Sequence, residues 1–140
     1  MGLRFIAAAV LLAGCGTAVV THEARAVRDF VVVSKLERVD NIRHYYRQLY
    51  YIYVNDNFLA VAVGNRHYLV EFGSICRALR RKEFTASMVD HLKDPSYLRE
   101  GDTIRGCPVD KIYKATAEQL LEIKALSKAQ ATGSVVPAEG

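Results

Sequence analysis

The four histidines of this chain, His22, His44, His67 and His91, lie far apart, and its three cysteines, Cys15, Cys76 and Cys107, form no C-x-x-C pair. Those spacings exclude the sequence-local zinc sites, in which ligands stand two to five residues apart. No serine occurs in G-x-S-x-G and no glycine-rich phosphate loop is present, which removes the strand-to-helix nucleophile elbow and the P-loop. No apolar run is long enough to span a membrane, since even the stretch from Phe5 to Val20 falls short of about 18 residues. The excess of positive charge is also small. With 19 Lys and Arg against 15 Asp and Glu the net charge is +4, and removal of Arg4 with a leader would make it +3. Such a surplus suits an anionic envelope surface or a nucleic acid equally and selects no partner by itself.

What the chain does have is the length of one domain, 140 residues, and a globular balance of 51% hydrophobic and 24% charged residues. Its N-terminus reads as an export signal. Arg4 supplies a positive start and Phe5 to Ala13 (FIAAAVLLA) an apolar segment of secretory length. Leu12, Ala13, Gly14 and Cys15 are similar to the lipobox of bacterial lipoproteins, which implies cleavage before Cys15 and a diacylglyceryl group on its thiol. Gly16, rather than Asp, follows that cysteine and implies sorting to the periplasmic face of the outer membrane. Ala24, Arg25 and Ala26 form a competing A-x-A site, and cleavage after Ala26 would leave a soluble periplasmic protein. The expected division is a signal peptide over 1–14, a tether over 15–27, a single domain over 28–131 and a disordered tail over 132–140.

Within the domain, the stretch from Leu49 to Phe72 is the organising element, three strands joined by two tight turns. Leu49 to Val54 (LYYIYV) is aromatic and β-branched, Asn55 to Asn57 make a turn, and Phe58 to Val63 (FLAVAV) reads as a central strand. Gly64 and Asn65 suit a type II′ hairpin loop into Arg66 to Phe72, whose Tyr68, Val70 and Phe72 should face the core. Phe30 to Val33 (FVVV) predicts an additional first strand, and residues 34–47 are ambiguous. Ser74 is expected to cap a short helix carrying Ile75, Ala78 and Leu79 inward. Met88, Val89 and Leu92 stand at helical spacing, in a segment that Asp94 and Pro95 should end. Glu100 to Asp102 mark a turn, and Val109 to Tyr113 a last strand. Thr116 and Gln119 form a capping box for a helix from Ala117 to about Ala131, with Leu120, Leu121, Ile123 and Leu126 apolar and Gly133 as the stop. The fold expected is α+β: an antiparallel, partly barrel-like sheet of about five strands with short helices and a C-terminal helix.

The order of Tyr68-x-Val70-x-Phe72, Cys76, Gly101-Asp102, Cys107-x-Val109-x-x-Ile112 and a threonine-capped helix resembles a family of small exported proteobacterial proteins classified as a domain of unknown function. The resemblance covers roughly Ile52 to Leu121. Members often carry two further cysteines, in an early strand and just before the Gly-Asp turn, and both are absent here. The family implies no activity.

Once Cys15 is lipidated, Cys76 and Cys107 are the remaining thiols, and in an oxidising compartment they are expected to form a disulfide. A metal site or a catalytic dyad built from either cysteine and a histidine would need the thiol that oxidation consumes. Arg77, Arg80, Arg81 and Lys82 are a candidate site for anionic lipid head groups or glycan phosphates, against the plainer reading of a solvated helix face. Tyr45, Tyr46, Tyr50, Tyr51 and Tyr53 would make an aromatic platform for glycan, or serve as ordinary half-buried strand residues. The function expected is therefore a lipid-anchored envelope binding or accessory module, not an enzyme, with no cofactor and no metal. Its expected partners are the membrane, through the N-terminal lipid, and an envelope glycan, lipid or protein, with no nucleic acid. The alternative is an exported enzyme whose site assembles from dispersed His, Asp and Tyr residues.

Overall fold

The structure, a computed structural model, describes residues 21–45, 49–80, 89–91 and 96–133, with backbone alone at 89–91 and 131–133. The fold is α+β. The expected meander forms as β3 (Tyr50–Asn55), β4 (Phe58–Val63) and β5 (Arg66–Phe72), and it continues into β9 (Cys107–Ala115), β8 (Thr103–Ile104) and β6 (Val89–His91). Every pairing in this order is antiparallel, and β1 (Arg38–Val39) adds to the other side of β9. The sheet is open rather than barrel-closed, with β3 at one end of the order and β6 at the other. A separate pair, β2 (Asn41–Arg43) with β7 (Tyr97–Arg99), lies outside it.

Turn chemistry sets the registers. Gly64 takes a φ of 59° between β4 and β5, so Val63 pairs with Arg66 across a two-residue loop. Arg105 and Gly106, with φ of 50° and 77°, make the equivalent loop between β8 and β9, where both central residues are left-handed. At Gly101 (φ 88°) the Asp102 carboxylate accepts from the Arg99 N–H at 2.7 Å. Gly101 N–H donates to Val109 and Val109 N–H to Asp102, each at 2.8 Å. The Gly101-Asp102 and Cys107-x-Val109 motifs are thus two sides of one closed turn.

Period-two alternation buries both faces of the central strands. Leu59, Val61, Val63, Tyr68, Val70 and Phe72 join Ile42, Leu98, Ile104 and Ile112 in one core. Phe58, Ala60 and Leu69 face the opposite side, under two helices. The first, α1, spans His22–Val33, so Phe30 to Val33 is the end of a helix and not a strand, and the helix takes in the second half of the expected tether. Thr21 caps it by accepting from Ala24 N–H at 3.2 Å, and Ala24, Val27 and Val31 supply the buried i, i+3, i+7 stripe. It ends in a Schellman motif, with Lys35 N–H bonded to Val32 and Leu36 N–H to Val31. The second helix, α2, runs over Ala117–Gly133 from the expected capping box, with Gln119 N–H donating to Thr116 Oγ1 at 3.1 Å and Thr116 N–H to Gln119 Oε1 at 2.9 Å. Leu120, Ile123 and Ser127 turn inward, whereas Leu121 is 70% and Leu126 37% exposed, since both flank that stripe.

Three further expectations are corrected. Among the described residues the helix after β5 is a 3₁₀ turn over Arg77–Arg80, which starts after Cys76 rather than at Ser74, the Cys76 N–H donating to Asp56 O in the β3–β4 turn at 2.7 Å. Val89–His91 is a strand on β8 rather than part of a helix, pairing having overridden the local spacing. α2 takes in 132 and 133, the first two residues of the expected tail over 132–140; the rest of that tail and the Asp94-Pro95 stop lie outside the described residues.

Candidate functional site

The turn between β3 and β4 is buried although all three of its residues are polar: Asn55, Asp56 and Asn57. Burial of such groups calls for partners, and the side chains of Asn55 and Asp56 supply ties to other elements. Asn55 Oδ1 accepts from Asn57 N–H at 2.9 Å, closing an Asx turn. Asn55 Nδ2 donates to Ser127 Oγ at 3.1 Å, and that hydroxyl donates to Val54 O at 3.2 Å, fastening α2 to the edge strand. The Asp56 carboxylate accepts from Tyr53 Oη and from Arg80 Nε, both at 2.7 Å, and from Arg80 Nη2. Burial alone would raise the pKa of Asp56. The hydrogen bonds from Arg80 and Tyr53, with the charges of Arg80 and Arg77, hold it instead below its ordinary 3.8. The Tyr53 hydroxyl is pushed up to about 12, by burial first and then by its bond to Asp56. Both groups are driven away from neutrality, as in a structural ion pair and unlike an acid–base dyad, whose members need pKa values near the operating pH.

Above this turn, α2 lies along the edge strand β3 and leaves a groove. Towards the start of the helix the groove is apolar, about 240 Å³, lined by Ile52, Val54, Ala60, Leu120 and Leu121 with His67 and Lys124 at its margins. Beyond Val54 and Lys124 it becomes a basic cleft of about 340 Å³ lined by Tyr53, Asn55, Arg80, Lys124, Ser127 and Lys128, with Glu23 from the first turn of α1. The two parts share Val54 and Lys124. Helical spacing produces this sequence of chemistry, since Leu121, Lys124 and Lys128 follow one another at i+3 and i+4 along one side of α2. Lys124 makes no hydrogen bond or ion pair among the described residues, and the Arg80 side chain is still 62% exposed outside its contact with Asp56. A wider depression of about 520 Å³ at the start of α2 also contains cations, but they are engaged. Arg66 Nη2 donates to Arg43 O at 2.6 Å, and Lys114 lies 3.7 Å from Glu37.

The residues singled out in the sequence fall as follows. Cys76 and Cys107 are joined in a disulfide with Cα atoms 6.1 Å apart, tying the end of the meander to β9. Cys15, Arg81, Lys82 and Tyr46 lie outside the described residues. Arg77 is exposed, and Arg80 is bound to Asp56 rather than solvated alone. The tyrosines do not gather on one face: Tyr50 is exposed on the helix side, Tyr51 and Tyr53 alternate onto the opposite core, and Tyr45 packs with Tyr97, its ring centroid 6.1 Å away, under Arg43. His22 is exposed, His44 is buried, and no group of three or more potential metal ligands occurs among the described residues. Lys124 and Lys128 were missed by sequence reasoning, although two lysines four apart on a capped helix, one turn beyond an outward leucine, were there to be read. Comparison with protein-family models, with curated proteins and with solved structures finds no match to this chain.

Proposed function

We propose that the protein is exported, anchored by a lipid on Cys15 at the periplasmic face of the outer membrane, and acts there as a binding or accessory module that holds its partner in the groove between α2 and β3. The groove carries this reading: an apolar slot adjoins a polar, partly basic cleft, the two sharing Val54 and Lys124, beside a turn whose Asn55 is tied to α2. The disulfide suits an oxidising compartment. The alternative, an exported enzyme, would draw on Tyr53, Asp56 and Arg80, the titratable groups that meet beside the cleft. Asp56 is held below its ordinary 3.8 and Tyr53 is pushed up to about 12, both further from the operating pH than in the free side chains, where proton transfer is less efficient. Intact mass and detergent partitioning of the protein from cells test the anchoring. The expected species begins with lipid-modified Cys15, and a soluble species beginning at Val27 ends the lipoprotein reading. Crosslinking in intact cells, followed by identification of what is bound, tests the binding role.

A further inference from the structure

We infer that the protein carries a second binding surface, for an uncharged glycan chain, in an open depression of about 450 Å³ lined by Asp40, Asn41, Arg43, Arg66, Tyr68 and Lys114. It shares no lining residue with the groove between α2 and β3 and stands apart from the role proposed for that groove. Opposite charges line this depression without pairing. Asp40 is exposed and makes no ion pair among the described residues, although Arg43 and Arg66 line the same hollow. Both arginines are held elsewhere, and by neutral partners. Arg43 lies over the rings of Tyr45 and Tyr97, its Cζ 5.0 and 5.4 Å from their centroids. Arg66 donates from Nη2 to Arg43 O at 2.6 Å and from Nη1 to Tyr68 Oη at 3.4 Å. Lys114 is the cation of the depression that an acid does engage, Glu37 at 3.7 Å. The carboxylate of Asp40, the amide of Asn41 and the N–H groups of Arg43 therefore leave acceptors and donors together around one hollow, with no hydrogen bond spent among them.

Hydroxyl groups both donate and accept, so a sugar chain uses the two kinds of group at once. An anion would meet Asp40, a cation would meet the two arginines, and an apolar segment would find Val39 as the aliphatic side chain of the lining. Tyr45 adds a ring beside Arg43. It is 52% exposed, and its open surface suits the C–H face of a sugar. Its backbone is held at φ 39°, a left-handed conformation that costs a non-glycine residue energy. Through Arg66, Tyr68 and Lys114 the depression continues into the wider one of about 520 Å³ at the start of α2, where Asn65, Thr116 and Glu118 repeat the mixture of donors and acceptors. An open trough of this kind suits a chain lying along it, whereas a small molecule is bound in a pocket that encloses most of its surface.

The test is a titration of the protein, as purified from cells, followed by amide nitrogen–proton correlation NMR. The uncharged probes are cellohexaose, chitohexaose and maltohexaose, and the charged ones are hexagalacturonate and a single-stranded DNA hexamer. At least one uncharged probe is expected to shift the amides of Asn41, Arg43, Arg66 and Tyr68 at millimolar concentration. Arg43→Ala and Asp40→Ala should each weaken that binding by about tenfold, as loss of a hydrogen bond to a charged group does. The sign at Asp40 separates the ligand classes, since removing this carboxylate weakens a hydroxyl ligand and strengthens an anionic one. Both side chains are exposed, so the variants should fold, and the dispersion of the same spectra verifies it. No shift with any uncharged probe, shifts confined to the groove between α2 and β3, tighter binding by Asp40→Ala, or a charged probe binding more tightly than every uncharged one overturns the inference.

Discussion

Arg80 closes both oxygens of Asp56, a carboxylate whose side chain is 5% exposed, from a residue 24 positions later in the chain. The pair joins the β3–β4 turn to the 3₁₀ helix immediately after Cys76, so the disulfide and the ion pair fix the same corner.

Because the pKa of Asp56 is depressed in the folded state, the stability it contributes is fully present above the ordinary value of 3.8 and is lost as pH falls through the folded-state value. Asp56→Asn keeps the shape and removes the titration. At pH 7 the variant should unfold at a lower urea concentration than the wild type, and the gap should narrow as pH is lowered from about 4 towards 2. A gap that is the same at both ends of that range would show that the carboxylate charge contributes nothing.

The Ser127 hydroxyl serves two buried partners, accepting from Asn55 and donating to Val54. Ser127→Ala removes a hydrogen-bond partner from each of two buried groups, and a loss of about 1 to 3 kcal/mol is expected. Urea denaturation measures it. A loss below about 0.5 kcal/mol, ordinary for a surface substitution, would contradict the role assigned to this tie.

Lys35 sits at φ 51° in the left-handed position that closes α1. Glycine adopts that conformation without a Cβ clash, so Lys35→Gly should raise stability by about 1 kcal/mol despite removing a side chain. Thermal unfolding by calorimetry decides it, and a lower melting temperature would rule out strain at this residue.

These features also explain which parts of the fold could be read in advance. The meander carries its own local signals, Asn55 to Asn57, Gly64-Asn65 and the alternation of Tyr68, Val70 and Phe72, and the capping box of α2 is local as well. The first helix lacks such signals. Its last turn is FVVV, its stop is Lys35 rather than glycine, and it is a helix because Ala24, Val27 and Val31 bury against Phe58, Ala60 and Leu69. Val89–His91 is likewise decided by a strand it meets only after folding. At the site, Arg80 was visible as a charge, but its partner is an acidic turn residue that nothing in the intervening sequence points to. Leu121 was assigned to the buried side of α2 because a hydrophobic count does not separate Leu120 from Leu121, which project about 100° apart and place one in the core and the other on the groove. The Cys76–Cys107 pairing was legible for a different reason, since it followed from counting thiols and not from packing.

That bridge spans 31 residues, and restricting the unfolded chain over such a loop stabilises the fold by about 3.5 kcal/mol in the chain-entropy description. The consequence is local as well as global. Cys76 lies between the N–H that binds Asp56 and the 3₁₀ helix that carries Arg80 and the buried Leu79, while Cys107 opens β9, the strand at the centre of the sheet. Reduction should therefore lower the urea midpoint of the whole domain and also loosen the corner that holds Arg80 beside the basic cleft. Hydrogen exchange should then show the Cys76 amide, bonded to Asp56, losing protection before amides of β4 and β5, which keep pairing on both sides. The double variant Cys76→Ala, Cys107→Ala should reproduce both effects without reductant. A midpoint indifferent to reductant, or uniform loss of protection across the sheet, would show that the bridge adds nothing to this corner beyond what the hydrogen bonds already provide.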